Sequence, residues 1–234
     1  GIQVEGMFTH FAVADADDEE SLRFTIAQYE QLRDAKEALE AAGYPIKHLH
    51  CQNSAGLLCH GYIDGCDIVR AGIILYGLKP DRNLKLPVEL KPLMELKSVV
   101  SMVKELPAGA TVSYGRTYTC PSPRTIATVS LGYADGYPRL MSGRGEVLIR
   151  GRRCPVVGRV CMDQLMADVT GVEGVCAGDV VTLYGRDGDE TISIDDAATL
   201  AGTINYELVC DIGPRVPRVY LRDGKVVDVV DRIQ

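Results

Sequence analysis

From residue 1 to about residue 80, short apolar runs alternate with one long stretch of helical spacing. "VEGMFTHFA" reads as a first strand, and "DEESLRFTIAQYEQLRDAKEALEAAG" follows with Leu22, Ile26, Tyr29, Leu32 and Leu39 on one helical face. Acids open that helix and Gly43 closes it, as the macrodipole and the C-terminal glycine preference favour. Next come a strand in "IKHLHCQNS", a short helix in "AGLLCHGYI" and a third strand in "DIVRAGIILYG". The pattern predicts three consecutive βα units around a parallel sheet.

After Pro80 the pattern changes. "LMELKSVVSMVKEL", "TIATVSLGYAD", "GEVLIRGRRCPVVGRV", "MADV", "GDVVTLYG" and "PRVYLRDGKVVDVV" read as strands separated by glycine-rich turns. One helix interrupts them, "SIDDAATLAGTI", with Ser193 or Asp195 as its N-cap. The expected organisation is an α/β domain over 1–88 and a mainly antiparallel β domain over 89–234, divided in the Pro-containing "LKLPVELKP". Three βα units leave strand edges unpaired and cannot close a barrel. The chain is therefore expected to begin in mid-domain and to complete its fold with further polypeptide.

Composition narrows the function. The 234 residues are 46% hydrophobic, enough for a real core, and carry a net charge of −7 with both signs interspersed. A phosphate-backbone surface needs clustered Lys and Arg, so nucleic acid is not an expected partner; a small-molecule ligand fits better. No run approaches the roughly 20 apolar residues that cross a bilayer, and no signal-peptide pattern opens the chain, so a cytoplasmic location is expected. The eight cysteines form no C-x-x-C pair and are read as reduced thiols. Cys51, Cys59 and Cys66 with His50 and His60 match no zinc spacing, so no metal is expected. "GRDGDE" lacks the distant glutamate of a calcium loop and reads as a hairpin turn.

In a parallel βα architecture, ligands meet the carboxyl ends of the strands. The polar residues there are Thr9 and His10, then Asn53 and Ser54, then Arg70 with Gly72. Asn53 and Ser54 suit a phosphate cradle, but Asn-Ser after a strand also suits an N-cap, the reading propensity favours. Arg70, flanked by residues that want burial, needs a partner: a salt bridge or a ligand. His10 and His50 sit where a histidine is usually a satisfied core residue. Tyr114, in "TVSYGRTY", is open to three readings: surface residue, packing anchor or proton-transfer group. "SLGYADGYPR" adds Tyr133 and Arg139, and "GRVCMDQLMADV" adds Arg159, Met162 and Asp163.

Taken in order, "THF", "HCQNSAGLL", "DIVRAGIILYG", "VSYGRTY", "SLGYADGYPR", "GRVCMDQLMADV", "NYELVCDIG" and "RVPRVY" resemble the pyridoxal phosphate-dependent alanine racemase family over essentially the whole chain. The resemblance implies the last three βα units of a (β/α)8 barrel over 1–88, followed by the family's C-terminal β domain. It implies that Tyr114 exchanges the α-proton of an amino acid on one face, acting on the barrel of another subunit, so that a homodimer is required. A phenol works as a base only where neighbours lower its usual pKa of about 10, and His10 resembles the histidine that bonds this phenol. Asn53, Ser54, Gly72 and Ile73 match the cofactor's phosphate positions. Arg70 matches the arginine facing its pyridine nitrogen, with His50 behind it. Met162 matches a position whose amide meets the substrate carboxylate. Tyr133, Arg139, Arg159 and Asp163 resemble residues of the access path and subunit contacts.

Two departures stand out. The family's Schiff-base lysine lies in a K-A-D-A-Y-G-H-G type of motif, and no lysine here has that context; the arginine that assists carboxylate binding is missing too. The chain alone is therefore expected neither to hold the cofactor covalently nor to racemise. Pro214 stands where many members have a phosphate-contacting tyrosine, which leaves alanine against serine open. Two rivals remain: the racemase domain of a membrane-anchored serine/alanine racemase, and a non-catalytic structural or assembly domain. A cofactor carrier built on the barrel alone would lack the β half.

Overall fold

The computed structural model describes residues 3–232, and the chain divides into two units, Gly1–Leu93 and Met94–Gln234. In the first, strand β1 (Gly6–Phe8) leads through helix α1 (Glu19–Ala41) to β2 (His48–His50), and α2 (Ser54–His60) follows. The two strands pair in parallel, Gly6 opposite His48 and Phe8 opposite His50. The helix begins where the sequence offers a cap: Asp18 Oδ1 accepts the Ser21 N–H at 2.9 Å, and Glu19 and Glu20 occupy the positive end of the dipole.

Of the helical face expected from spacing, Leu32 is buried and Tyr29 half-buried, while Leu22, Ile26 and Leu39 are exposed. A two-stranded sheet is narrower than the helix's apolar stripe, so it receives only part of it. The unit's core joins Phe11, Leu32, Leu49, Cys51, Ala55 and Cys66.

The third expected strand is a correction. Residues 67–72 follow β2 through two backbone bonds, Asp67 N–H to Leu49 O at 3.1 Å and Arg70 N–H to Gln52 O at 3.0 Å, without forming a ladder. Parallel ladders repeat every two residues, whereas these bonds are three apart. The apolar "IILY" that was to finish the strand is instead a 3-10 turn, Ile73–Tyr76.

The second unit is built on a seven-stranded antiparallel sheet of β3 (Leu96–Leu106), β6 (Arg124–Val129), β7 (Glu146–Ile149), β8 (Arg152–Pro155), β9 (Leu165–Asp168), β10 (Val180–Asp187) and β11 (Glu190–Ile192). Its order is β8-β7-β10-β3-β6-β9, with β11 also on β10. Two ribbons stand apart, β4 (Thr111–Val112) with β5 (Tyr118–Thr119), and β12 (Arg218–Arg222) with β13 (Lys225–Val230). Val147, Leu148 and Ile149 in β7 and Val181 to Tyr184 in β10 are buried without alternation, so both faces of the sheet's centre are covered there. "GEVLIRGRRCPVVGRV" is a hairpin rather than one strand. Its turn has Arg150 and Gly151 both at positive φ, 52° and 70°, the conformation whose twist matches flanking strands. "GRDGDE" is the β10–β11 hairpin, as expected.

Helix α3 (Ile194–Ala201) is capped by Ser193, whose Oγ accepts the Asp196 N–H at 3.0 Å. A second helix that the sequence pattern did not predict, α4 (Asn205–Asp211), follows at once. Among the described residues no three His, Cys, Asp or Glu side chains gather as a metal site, and no helix is long and apolar enough to cross a membrane.

Candidate active site

In the first unit the parallel register of β1 and β2 sets Phe8 against His50, their rings stacked at 5.1 Å and 9°. The Arg70 guanidinium lies over the Phe8 ring, 5.1 Å from its centroid. Arg70 Nη1 donates to His50 Nδ1 at 2.5 Å, and Nη2 donates to the carbonyls of Thr9 at 3.0 Å and Cys51 at 3.3 Å. A guanidinium only donates, so His50 Nδ1 accepts and the neutral ring carries its proton on Nε2. Burial first, and the charge of Arg70 second, hold the His50 pKa below its ordinary value. Among the described residues, no carboxylate pairs with Arg70. Of the two readings open in the sequence, the salt bridge is absent from this unit.

Beside this cluster, Ser54 Oγ accepts the Gly72 N–H at 2.9 Å. That bond leaves the Ser54 hydroxyl hydrogen to give. A Cβ on Gly72 would find only Ser54 Oγ, at 3.5 Å, so the space before Gly72 is otherwise open. Ile73, buried, starts the 3-10 turn behind it. Asn53 serves as the N-cap of α2: its Oδ1 accepts the Gly56 N–H at 2.8 Å, and its amide nitrogen reaches Phe11 O and His10 Nε2, each at 3.3 Å. The Asn53 side chain therefore positions the loop. Gln28 on α1 fixes the same loop, accepting from Ala12 N at 3.0 Å and donating to His10 O at 3.2 Å. Nothing in its local sequence marked Gln28, because a glutamine on a helix is ordinarily solvated.

In the second unit Tyr114 begins a 3-10 turn between β4 and β5 and is 71% exposed, so it is no packing anchor within this unit. The turn is strained: Ser113 and Arg116 adopt positive φ, 69° and 51°. Ser113 Oγ donates to Arg159 O at 2.7 Å, and a Cβ on Gly158 would lie 2.6 Å from Ser113 Cβ. The Tyr114 turn is thus docked on the segment carrying Arg159. The same segment holds Met162: Tyr133 N–H and Ala134 N–H donate to Cys161 O and Met162 O, both at 3.0 Å. Met162 is exposed, and Tyr133 and Arg139 line an open cleft with Tyr137, Pro138 and Asp211.

Arg215, which the sequence did not single out, ties these turns together. Its Nε meets Asp135 Oδ1 and its Nη2 meets Asp163 Oδ1, each at 2.7 Å. Pro214 has a local job here: Val216 N–H closes on Gly213 O at 3.3 Å, putting proline at the first central position of the turn that delivers Arg215.

The comparisons with known proteins now bear on this arrangement. Residues 93–220 match the family described as "Alanine racemase, C-terminal domain", and residues 1–80 match "Alanine racemase, N-terminal domain". The chain belongs to the alanine racemase family. It is 46% identical to an alanine racemase of Desulfovibrio desulfuricans over 94% of this chain and 57% of that relative, and 44% identical to one of Clostridium perfringens over 100% and 60%. Among solved structures it is similar to the alanine racemase of Bacillus anthracis with bound L-Ala-P, at TM-score 0.88 and 39% identity over 98% of this chain and 58% of that one. The alanine racemase of Clostridium difficile in complex with cycloserine follows at TM-score 0.85 and 38% identity, covering 98% and 60%. The chain thus spans 57–60% of these relatives' length.

Alanine racemases depend on pyridoxal phosphate, and the first unit's residues fit that group. Ser54 has a hydroxyl hydrogen to give beside the open face of Gly72, which suits a phosphate. Arg70 holds a cation with no carboxylate against it, which suits an unprotonated ring nitrogen.

Proposed function

We propose that the protein to which this chain contributes interconverts L- and D-alanine, and that the chain supplies one of its two proton-transfer groups and most of its cofactor contacts. Residues 1–88 are read as the last βα units of a (β/α)8 barrel and 89–234 as the β domain. The observation that carries the proposal is Arg70, a half-buried guanidinium whose partners are an imidazole and two carbonyls.

Bound there, pyridoxal phosphate would supply the electron sink that makes the α-hydrogen of an amino acid acidic. Ser54, Gly72 and Ile73 would hold its phosphate, with Asn53 fixing the loop beneath. Arg70 offers the ring nitrogen a donor that does not give up its proton. That limits how far charge withdraws from the α-carbon, and so favours return of a proton to that carbon over side reactions. Tyr114 gives or takes the α-proton on one face through its phenolic oxygen. The Met162 N–H is directed to the substrate carboxylate, and Tyr133, Arg139, Arg159 and Asp163 line its approach. Exposure of Tyr114 supports its presentation to the α/β unit of a second copy, which makes the active species a homodimer. The opposite base is assigned to a lysine in the family's K-A-D-A-Y-G-H-G type of motif, and this sequence contains no such motif.

The test is a chimera in which the amino-terminal part of the Desulfovibrio desulfuricans relative precedes this chain. With added pyridoxal phosphate it should racemise L-alanine, with L-serine assayed in parallel because Pro214 stands at a substrate-sensitive position. A folded, cofactor-loaded chimera that leaves both amino acids optically unchanged would sink the proposal.

A further inference from the structure

The irregular segment before Arg70 raises a question of register. An arginine that slips by one residue along a strand-like run turns to the other face, yet residues 67–72 lack the ladder that would prevent slippage. Asp67 supplies the missing constraint. Its own N–H donates to Leu49 O at 3.1 Å, and its Oδ1 accepts the Leu49 N–H at 3.0 Å, so it grips both backbone polar groups of one β2 residue. Its other oxygen, Oδ2, lies 2.5 Å from His48 Nδ1. Gly6 makes room for that imidazole's strand, since a Cβ there would come within 2.9 Å of His48 O and 3.0 Å of His48 Cβ.

We propose that Asp67, partnered by His48, is a positioning residue for Arg70. By fixing residue 67 against Leu49, it sets Arg70 three residues on, where Nη1 meets His50 Nδ1 and the backbone N–H meets Gln52 O. On β2, His48 and His50 project to one face, so the strand carries two successive pairs: His48 with Asp67, then His50 with Arg70. The first pair is the anchor and the second is aimed at the ligand. The Asp67 carboxyl is held below its usual pKa, chiefly by His48, so it stays an acceptor for Leu49 through the neutral range.

The positioning role concerns this chain's own geometry, and its importance for the cofactor rests on the function proposed above. The test therefore has two readouts on the whole chain. Nitrogen-15 NMR of the imidazoles reads His50 directly: the unmodified chain should show one neutral Nε2–H tautomer with a hydrogen-bonded Nδ1. In Asp67→Ala that signature should give way to a mixture of tautomers, and in Asp67→Asn, which keeps an acceptor for the Leu49 N–H, it should be retained. Pyridoxal phosphate titrated by absorbance should bind at least tenfold more weakly to Asp67→Ala and near normally to Asp67→Asn. A His50 signature unchanged in Asp67→Ala, or lost equally in both variants, overturns the positioning role. If Asp67→Ala does not fold, hydrogen exchange on the unmodified chain decides: the Leu49 N–H should be protected as well as the Arg70 N–H. A freely exchanging Leu49 N–H beside an intact His50 signature overturns the role. Failure of the unmodified chain to bind pyridoxal phosphate, with the NMR results as expected, would count against the cofactor reading and leave the positioning role standing.

Discussion

His50 accepts through Nδ1 from Arg70 at 2.5 Å, which makes the imidazole a neutral spacer between a strand and a cation. This has a consequence for acid stability. Burial and Arg70 lower the His50 pKa, so as pH falls below about 6.5 the unfolded chain binds a proton there before the folded one does. Stability is unaffected by this group above that pH and falls as pH drops from about 6.5 toward the folded-state value. His50→Gln, which keeps an acceptor but does not titrate, should flatten that part of the profile in urea unfolding between pH 7.5 and 5.5. An unchanged slope would show that another group is responsible.

Gly132 has no room for a side chain. A Cβ would lie 2.3 Å from Cys161 O and 2.4 Å from Met162 O, both backbone atoms that cannot swing aside. Gly132→Ala should therefore break the bonds from Tyr133 and Ala134 to that segment, at a cost of about 1–3 kcal/mol. Chemical denaturation measures the loss, and the same variant in the chimera should lose alanine affinity because the Met162 amide moves. Wild-type stability would mean the turn can shift as a body.

Tyr137 and Tyr184 are fully buried, their ring centroids 5.9 Å apart, and neither hydroxyl has a hydrogen-bond partner among the described residues. Burial drives both phenol pKa values upward, so both stay protonated donors. An unmet buried donor costs about 1–3 kcal/mol. Tyr184→Phe should consequently raise the unfolding free energy, by an amount up to that figure. A clear decrease would mean that the hydroxyl is satisfied in solution.

Local chemistry made much of the fold legible. The opening acids and Gly43 marked the ends of α1, the glycine-rich turns marked the hairpins, and Ser193, one of two candidates, capped α3. What failed depended on distant partners. "DIVRAGIILYG" has strand composition, but its backbone bonds are set by Asp67 and Arg70, and its apolar end closes into a 3-10 turn. Helix α4 was hidden because it spans only seven residues, Asn205–Asp211, too few to show a period. At the site, Arg70 was visible as a misfit among apolar neighbours, and Ser54 and Gly72 by their place just after expected strands. Asp67, Gln28 and Arg215 were not, since each looks like a surface residue until the chain brings its partner near.

Tyr114 is presented on a strained, exposed turn. In the chimera, Tyr114→Phe should reduce racemisation by about 10²–10⁴-fold, the range for loss of a general acid or base. Exchange of the α-hydrogen with deuterated water should vanish from one enantiomer of alanine and persist from the other, with cofactor absorbance unchanged. Loss from both enantiomers would indicate a structural role for the phenol, and loss from neither would remove it from the reaction.

Arg215 spans residues 80 and 52 positions away, and both of its carboxylate partners sit in turns beside candidate site residues. Its guanidinium reaches Asp135 through Nε and Asp163 through Nη2, two directions that one ammonium cannot serve together. Asp135 Oδ2 in turn accepts the Gly132 N–H at 2.8 Å, so the bridge continues into the turn that docks on Met162. Arg215→Lys should therefore behave more like Arg215→Met than like wild type. Both should lower the melting temperature by a few degrees and lower apparent alanine affinity in the chimera, while leaving pyridoxal phosphate binding by the first unit unchanged. A lysine variant with full affinity would show that charge alone, rather than the forked geometry, holds the two turns.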